Sequence, residues 1–399
     1  YREDSAYSAI KASEQVVAEE EKAGRIKEPP LPQAGKIATP VTPIPIPEPV
    51  QRLQAAYSAF VEKIPASGRR ATVAYKDAEI DFRYLHFPTA RPKMERILND
   101  FCKDDRAVDA GNAILVSYTI ENDLSKLEEW TGKLRDKSCG SGALAQAQQG
   151  SLKKLSEDVR FKKAEQLFAD KKYDEAATLY VQLVDAAPQG ENADKALNNA
   201  AVAYENSLRY SAATKLYERI VRDYPKSTFV DDALFRTAVN SQRFFEFDKA
   251  ALAYQTLATD KRFVSSPHRT DALFNAAVIL ENDQNYARAA ELFRQYAANP
   301  SVKKEDAADA YFRAALATEK LKDPDKAERE LRQFIKRYGD DARNQGKVVE
   351  AYFRIALAYE ARRDAASAEK NYRAAVKAAV GLQAGSDPME YAGHAAFIL

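Results

Sequence analysis

Apolar residues recur at helical spacing over most of the chain, and from residue 161 onward the pattern repeats itself. Small residues mark the middle of successive apolar segments at intervals of 37 to 41 residues. They are Ala164, Ala201, Ala238, Ala277, Ala315, Ala356 and Ala395. A repeat of this length indicates an array of similar units, each of which buries its apolar face against its neighbours.

A second signature follows twelve residues after each of the first six alanines. It is an alanine followed four residues later by a bulky residue, in the pairs Ala176/Tyr180, Ala213/Tyr217, Ala250/Tyr254, Ala289/Phe293, Ala327/Leu331 and Ala368/Tyr372. Each unit is therefore predicted to be a helix, a short turn and a second helix. The small residue lets the two backbones approach closely, and the bulky residue fills the space one turn later. Aromatic residues at the turns, such as Tyr210 and Phe247, are expected to fill the bend.

The first 160 residues follow other patterns. We expect an exposed helix over 1–28, a Pro-rich linker over 29–50, degenerate helical hairpins over 51–150, and six repeats with the start of a seventh over 151–399. Eight of the 17 prolines lie in the linker, which favours an extended polyproline conformation. A stiff spacer is the first interpretation. The alternatives are a ligand for an aromatic-lined groove and a strap that lies along the array.

Composition narrows the function classes. The 60 basic residues balance 59 acidic ones, which argues against a nucleic-acid partner, because phosphate binding needs surplus positive charge. No apolar run approaches the roughly 18–20 residues of a membrane-spanning helix. With three histidines and two cysteines far apart, and no Gly-rich phosphate loop, we predict no catalytic residue, cofactor or metal. We therefore do not expect an enzyme.

The two ends of the chain suggest a portion of a longer protein. The sequence begins without Met, and it stops at Leu399 within an apolar periodic segment. We expect further repeats beyond this residue.

The repeated residues resemble those of the tetratricopeptide repeat family. The family's first-helix pattern is present as Leu197-x2-Ala200-Ala201-x2-Tyr204, and again from Leu273 and from Tyr352. The resemblance implies an all-α fold, a right-handed α-solenoid of helical hairpins. The family's Trp and Gly are absent here, and the spacing exceeds its usual 34 residues, so we expect lengthened loops.

A narrower resemblance concerns bacterial cell-envelope members of this family. Tyr224-Pro225-Lys226-Ser227, followed by Asp232-Ala233-Leu234-Phe235, is similar to repeats of the Tol-Pal system coordinator and the barrel-assembly lipoprotein. The long-spaced repeats with a divergent half also resemble periplasmic repeat proteins of myxobacterial gliding-motility machinery.

In this family the first helices of successive repeats line a concave face, which places a set of residues where a partner would bind. They are Asn199, Arg236, Asn275, Arg313, Arg354, Val202, Val239, Val278, Asn206, Arg243 and Asn282. Amide and guanidinium groups can bind a peptide backbone or carboxylates. The alternative is that these side chains satisfy each other across neighbouring first helices. For the Phe residues of the same helices, including Phe235 and Phe274, we favour core packing.

Cys102 and Cys139 follow the second helices of the two predicted degenerate hairpins. In a right-handed stack the equivalent ends of such helices lie close together, so the envelope resemblance implies a disulfide. The alternative is two unrelated thiols in a reducing compartment.

The function that follows from the resemblance is a non-catalytic scaffold that holds protein partners in a bacterial envelope complex, with gliding motility as the narrower setting. The alternatives are a periplasmic chaperone or coordinator of peptidoglycan or outer-membrane assembly, and a recruitment domain of a larger enzyme. The expected location is the periplasm or the membrane-associated envelope, with the cytoplasm as the alternative. The pattern predicts no oligomeric state.

Overall fold

A computed structural model describes residues 2–33, 41–380, 382 and 387–399 of the chain, without the side chain of Ala143. Contacts divide the molecule into two compact units, Tyr1–Gly190 and Glu191–Leu399. All regular structure in the described residues is helical. The domain boundaries drawn from the sequence pattern stay a prediction.

The first unit contains eight α-helices. They are α1 (Arg2–Lys22), α2 (Glu48–Lys63), α3 (Arg70–Arg83), α4 (Phe87–Asp100), α5 (Asp105–Glu121), α6 (Leu124–Lys137), α7 (Gly142–Ala169) and α8 (Tyr173–Ala186). Helices α3 to α8 form three successive hairpins, and α2 packs against both α1 and α3. The core between α3 and α7 is built around Phe87, Met94 and Trp130.

The second unit contains eleven α-helices. They are α9 (Ala193–Asn206), α10 (Tyr210–Asp223), α11 (Val230–Arg243), α12 (Phe247–Thr259), α13 (Arg269–Asn282), α14 (Tyr286–Ala298), α15 (Lys304–Lys320), α16 (Pro324–Tyr338), α17 (Gln345–Ala361), α18 (Ala365–Ala378) and α19 (Asp387–Ile398). Each helix packs against the next, so the hairpins stack in chain order. The predicted all-α array of helix pairs is confirmed.

The small residues of both sequence signatures lie where the helices meet. The alanines of the first signature are fully buried, and so are the aromatic partners of the second, such as Tyr217 and Phe293. Second helices end within two residues before Pro188, Pro225, Pro300 and Gly339. Close helix packing through alanine and helix termination by proline therefore set the repeat.

Every hairpin turn uses the same backbone device. The residue before the last turn position has a left-handed conformation, with φ between 55° and 63°, at Leu85, Asn122, Lys171, Leu208, Phe245, Gln284, Lys322 and Arg363. In most of these turns the next residue's N–H donates to the carbonyl five residues back, for example Arg209 to Tyr204 at 2.7 Å. This is the Schellman termination of a helix, and here it is made without glycine. The hairpins of α3/α4 and α5/α6 share it, which supports their interpretation as divergent repeats.

Helix α1 differs from the predicted exposed helix. Ile10 and Val17 are buried in a core shared with Leu53 and Phe60 of α2. Most residues of this helix are exposed, as predicted, but α2 covers the face that carries Ile10 and Val17.

The described part of the predicted linker is residues 29–33 and 41–50, and residues 34–40 lie outside the described residues. Residues 48–50 are already part of α2. Residues 41–47 lie against the helices and are not a free spacer. The Ile44 N–H donates to the Tyr84 carbonyl at 2.9 Å, and the Ile44 carbonyl lies 2.8 Å from His86 Nε2. Ile44 also packs against both apolar cores of this unit. These contacts are those of a strap, the alternative that the sequence left open.

Cys102 and Cys139 form a disulfide, with their Cα atoms 4.7 Å apart. One follows α4 and the other follows α6, and the Gly140 N–H donates to the Cys102 carbonyl at 2.7 Å. The bond therefore joins the ends of the second helices of two adjacent hairpins.

Candidate partner-binding groove

The predicted partner-facing residues all lie on the first helices of the second unit, which are α9, α11, α13, α15 and α17. We call their shared surface the first-helix face. Each helix buries its alanine side against a second helix, so residues on the opposite side are left half-buried or exposed. What these residues contact decides whether they are available to a partner.

Three of the predicted arginines bind a glutamate of the preceding first helix. Arg236 Nη1 lies 2.6 Å from Glu205 Oε2, and Arg354 Nη1 lies 3.0 Å from Glu319 Oε2. Arg313 pairs with Glu281 in the same way, and its guanidinium also lies 4.6 Å from the Phe293 ring centre. These three arginines therefore pair with side chains of neighbouring first helices, which is the alternative that the sequence analysis left open.

The equivalent positions on α11 and α13 are uncharged. At the positions that hold glutamate and arginine in the other pairs, the chain has Gln242 and Asn275. Tyr254 Oη donates to Gln242 Oε1 at 2.9 Å. Burial raises the pKa of Tyr254 to about 12, although its hydrogen bond with Asn275 acts to lower it. Gln242, Asn275 and Tyr254 therefore stay uncharged over the whole physiological pH range.

The Phe residues of the first helices pack inward. Phe235 meets Tyr254 with ring centres 5.7 Å apart, and Phe274 meets Phe293 at 5.9 Å. Phe161/Tyr180 and Phe353/Tyr372 make the same contact. Each pair is separated by nineteen residues, so the sequence favoured core packing correctly, although Phe235 and Phe274 stay partly accessible.

A groove of about 580 Å³ lies on the first-helix face between α9, α11 and the start of α13. It brings together five predicted residues, which are Val202, Asn206, Arg236, Val239 and Arg243. The other six predicted residues lie outside its lining, on α9, α13, α15 and α17. They are Asn199, Asn275, Val278, Asn282, Arg313 and Arg354.

A chain of polar contacts crosses the floor of this groove. Asp232 Oδ2 accepts from Arg236 Nε at 2.8 Å, and Glu205 Oε1 accepts from Asn240 Nδ2 at 2.9 Å. Burial acts to lower the pKa of Arg236, but Tyr217, Asp232 and Glu205 raise it above its ordinary value. The floor is thus a fixed, permanently charged network, and the apolar contact area comes from the two valines and Phe235.

His268 is a groove residue that sequence reasoning missed. Its ring stacks on Phe235 with centres 4.5 Å apart and planes at 16°. Its Nε2 lies 3.4 Å from Asp232 Oδ1. The sequence signal that could have found it is its position directly before α13. A residue at the start of one first helix lies close to the preceding first helix.

The groove is lined by apolar side chains and by side chains that pair with one another. Among the residues that the structure describes, no cluster of His, Cys, Asp and Glu could hold a metal ion. Over the same residues, no helix is both long enough and apolar enough to cross a membrane. The two carboxylates in the groove are occupied by Arg236, Asn240 and His268.

Comparisons with known proteins bear on the class of the fold. Three family models, each described as a tetratricopeptide repeat, match the chain at residues 161–228 and 243–303, at 309–341, and at 349–379. No curated protein matches the sequence.

Among solved structures, the C-terminal part of a TPR repeat-containing protein from Cytophaga hutchinsonii is 15% identical, covers 79% of this chain and 98% of its own, and has a TM-score of 0.37. MamA is 17% identical over 45% of this chain and 93% of its own, with a TM-score of 0.30. The P58(IPK) TPR domain is 16% identical over 98% of both chains, with a TM-score of 0.26.

Stacked hairpins with a common turn and an alanine-based helix interface define an all-α helical repeat protein. The family models make the class specific: residues 161–379 of the chain contain tetratricopeptide repeats. Such repeats are generally non-catalytic interaction modules, and they suggest a scaffold for protein–protein interactions.

Proposed function

We propose that this protein is a non-catalytic scaffold of a bacterial cell-envelope complex, and that it holds a segment of a partner protein in the groove between α9, α11 and α13. The observation that carries the proposal is the groove itself. It combines apolar side chains with a fixed polar floor on the helices that the sequence singled out.

The best variants change the groove surface and leave its ion pairs alone. Replacing Arg236 or Arg313 would remove the cationic partner of Glu205 or Glu281, so lost binding could reflect disturbed helix packing. Val202 and Val239 line the groove and are half-buried without being part of the core. Val202→Glu with Val239→Glu therefore places charge where a partner's apolar groups would sit.

The test is a quantitative pull-down from the envelope fraction of the source cells with the full chain as bait. The matched control is Leu252→Glu, because Leu252 is 67% exposed on α12 and lies outside the groove. We expect a defined partner to be captured by the wild type and the control and to be lost by the double variant, with unchanged helical circular dichroism. Equal capture by all three baits contradicts the groove as the binding site.

The envelope setting is supported by the disulfide between Cys102 and Cys139, since such bonds persist in oxidising compartments. The narrower setting, a gliding-motility machine, rests on the resemblance of the long-spaced repeats. Mass spectrometry after thiol trapping in cells should find the two cysteines joined, and two free thiols would remove this support. The identity of the captured partner then tests the motility setting, and capture of many unfolded outer-membrane proteins would point to a chaperone instead.

A further inference from the structure

Two consecutive hairpin turns of the second unit expose large apolar side chains. Leu208, between α9 and α10, is 72% exposed, and Phe245, between α11 and α12, is 79% exposed. Phe244 and Phe247 beside it are about half exposed, although the sequence pattern predicted that Phe247 would fill the bend. We call Leu208, Phe244, Phe245 and Phe247 the apolar rim.

The turns themselves do not require these residues. Leu208 and Phe245 occupy the left-handed position of the shared turn, where the equivalent residues include Lys171, Gln284 and Lys322. A bulky side chain is disfavoured in this conformation, and exposing it to water adds a further cost. Two neighbouring repeats bear both costs, which indicates that the apolar rim has a use outside the hairpin.

Arg243 joins the apolar rim to the groove. Its guanidinium lies 4.5 Å from the centre of the Tyr210 ring, and both residues line the end of the groove. Arg243 ends α11, so Phe244 and Phe245 follow it directly. The last residue of α11 therefore contacts the first residue of α10, two positions after Leu208, which places the two turns side by side.

Arg243 also differs from the other arginines of this face. Arg236, Arg313 and Arg354 each bind a glutamate of the preceding helix. No carboxylate in the described part of the chain pairs with Arg243, whose recorded contact is the Tyr210 ring. Its guanidinium is exposed and can donate to an added carboxylate.

The dimensions of the groove fit an extended peptide. Asp232 and Arg243 lie at opposite ends of it and are eleven residues apart on α11, which is about 16 Å at a rise of roughly 1.5 Å per residue. An extended segment of about five residues spans that length at roughly 3.3 Å each. Two or three further residues reach the apolar rim.

Resting on the function proposed above, we propose that the groove continues past Arg243 onto the apolar rim, and that it takes an extended partner segment whose carboxylate side chain binds Arg243 and whose adjacent large apolar side chains cover the rim. Charge favours a protein segment over an anionic membrane surface. Arg243 and Lys249 beside the rim are balanced by Glu246, which pairs with Lys249 at 3.6 Å, and by the exposed Asp248, so the rim lacks the cluster of positive charge that attracts anionic lipid headgroups.

The experiment selects ligands from a random octapeptide phage library on the immobilised full chain and measures the affinity of the resulting consensus peptide. We expect enrichment of Asp or Glu within three positions of Phe, Leu, Trp or Tyr. Arg243→Glu should replace the acidic preference with Lys or Arg and weaken binding of the original peptide about tenfold. Phe245→Ser with Phe247→Ser should abolish the aromatic preference while the acidic preference remains.

Two matched variants keep the outcomes separate. Arg222→Glu removes an exposed arginine that pairs with Asp223 outside the groove, and Leu252→Ser removes an exposed apolar residue of α12; both should bind like the wild type. Peptides that depend on Val202 and Val239 but are indifferent to Arg243 and to the rim would overturn this inference and leave the groove intact as a binding site. Failure to enrich any peptide would count against both proposals.

A membrane role is tested directly. Sedimentation with phosphatidylglycerol and phosphatidylethanolamine vesicles should show no binding that depends on Phe245. Vesicle binding that Phe245→Ser removes would assign the apolar rim to a lipid surface and overturn the inference.

Discussion

At the scale of single residues, the shared hairpin turn holds one residue in a left-handed backbone conformation, whatever its side chain. Lys322 has φ of 60° and lies in the exposed turn between α15 and α16. An L-residue pays for this conformation, whereas glycine adopts it freely. We expect Lys322→Gly to raise the free energy of unfolding by about 0.5–1 kcal/mol.

The control for this prediction is Lys320→Gly. Lys320 is the exposed last residue of α15, so glycine there should lower the free energy of unfolding by up to about 1 kcal/mol. Urea denaturation measures both. Destabilisation by both substitutions would show that the turn tolerates lysine without cost.

A second prediction at this scale concerns Glu14, which fixes α1 to α2 and α3. Its carboxylate accepts from Tyr57 Oη at 2.7 Å and pairs with Lys11 and Lys76 at 2.8 and 2.6 Å. Burial acts to raise the pKa of Glu14, but the hydrogen bonds from Lys11, Lys76 and Tyr57 lower it to about 2. A carboxylate with a depressed pKa stabilises the folded state above its unfolded pKa and loses that effect as the pH falls.

The contribution of Glu14 should therefore be complete above about pH 4.5 and should disappear between about pH 4.5 and pH 2. Glu14→Gln isolates it from the other carboxylates. We expect the variant to be about 2 kcal/mol less stable than the wild type at pH 6, with a difference that shrinks toward pH 2. A difference that does not change with pH would contradict this assignment.

Residue identities predicted the buried positions better than the exposed ones. The alanines and their aromatic partners were recognisable because packing restricts them to small or bulky types at a helical period. His268 was missed and Phe247 was misjudged because their environments depend on how a connecting loop or a turn is placed, which a periodic pattern does not encode. The pairing of Arg236, Arg313 and Arg354 with glutamates of the preceding helix was open for the same reason.

At the scale of helices, the alanine interface sets how closely each hairpin closes. Ala277 is fully buried on α13, where it faces α14. Ala277→Leu should overpack this contact and lower the free energy of unfolding by about 1–3 kcal/mol. Ala287→Leu is the matched control, because Ala287 is exposed on α14 and the same substitution there adds no clash.

Thermal and urea unfolding of the two variants check this prediction. A wild-type stability for Ala277→Leu would mean that α13 faces α14 with a different set of residues. The result also bears on the first-helix face, because the helix register that buries Ala277 is the one that turns Val278 outward on the same helix.

At the scale of the whole molecule, the disulfide is the covalent restraint on the first unit. It closes a loop between residues 37 positions apart, and restricting the unfolded chain over that length contributes about 4 kcal/mol in the chain-entropy account. Cys102→Ala with Cys139→Ala should lower the stability of Tyr1–Gly190 by about 2–4 kcal/mol.

Hydrogen exchange resolved along the chain measures this effect. Faster exchange is expected in α4, α5 and α6, while amides of α11 to α17 keep their wild-type rates. A reducing agent should reproduce the effect in the wild type and leave the double variant unchanged. Uniformly faster exchange throughout the chain would contradict a restraint confined to the first unit.

The predicted lengthening of the repeat has a definite location. The turn inside a hairpin has two or three residues throughout the described chain, while the connections between hairpins in the second unit range from five residues after α14 to nine after α12. The Schellman geometry fixes the turn, whereas a connection only has to reach the next hairpin. During divergence, insertions and deletions can therefore accumulate at one edge of the array without disturbing the helix pairs. An epitope or fluorescent tag inserted after α12 should therefore be tolerated, whereas one inserted after α11 should disrupt the hairpin turn.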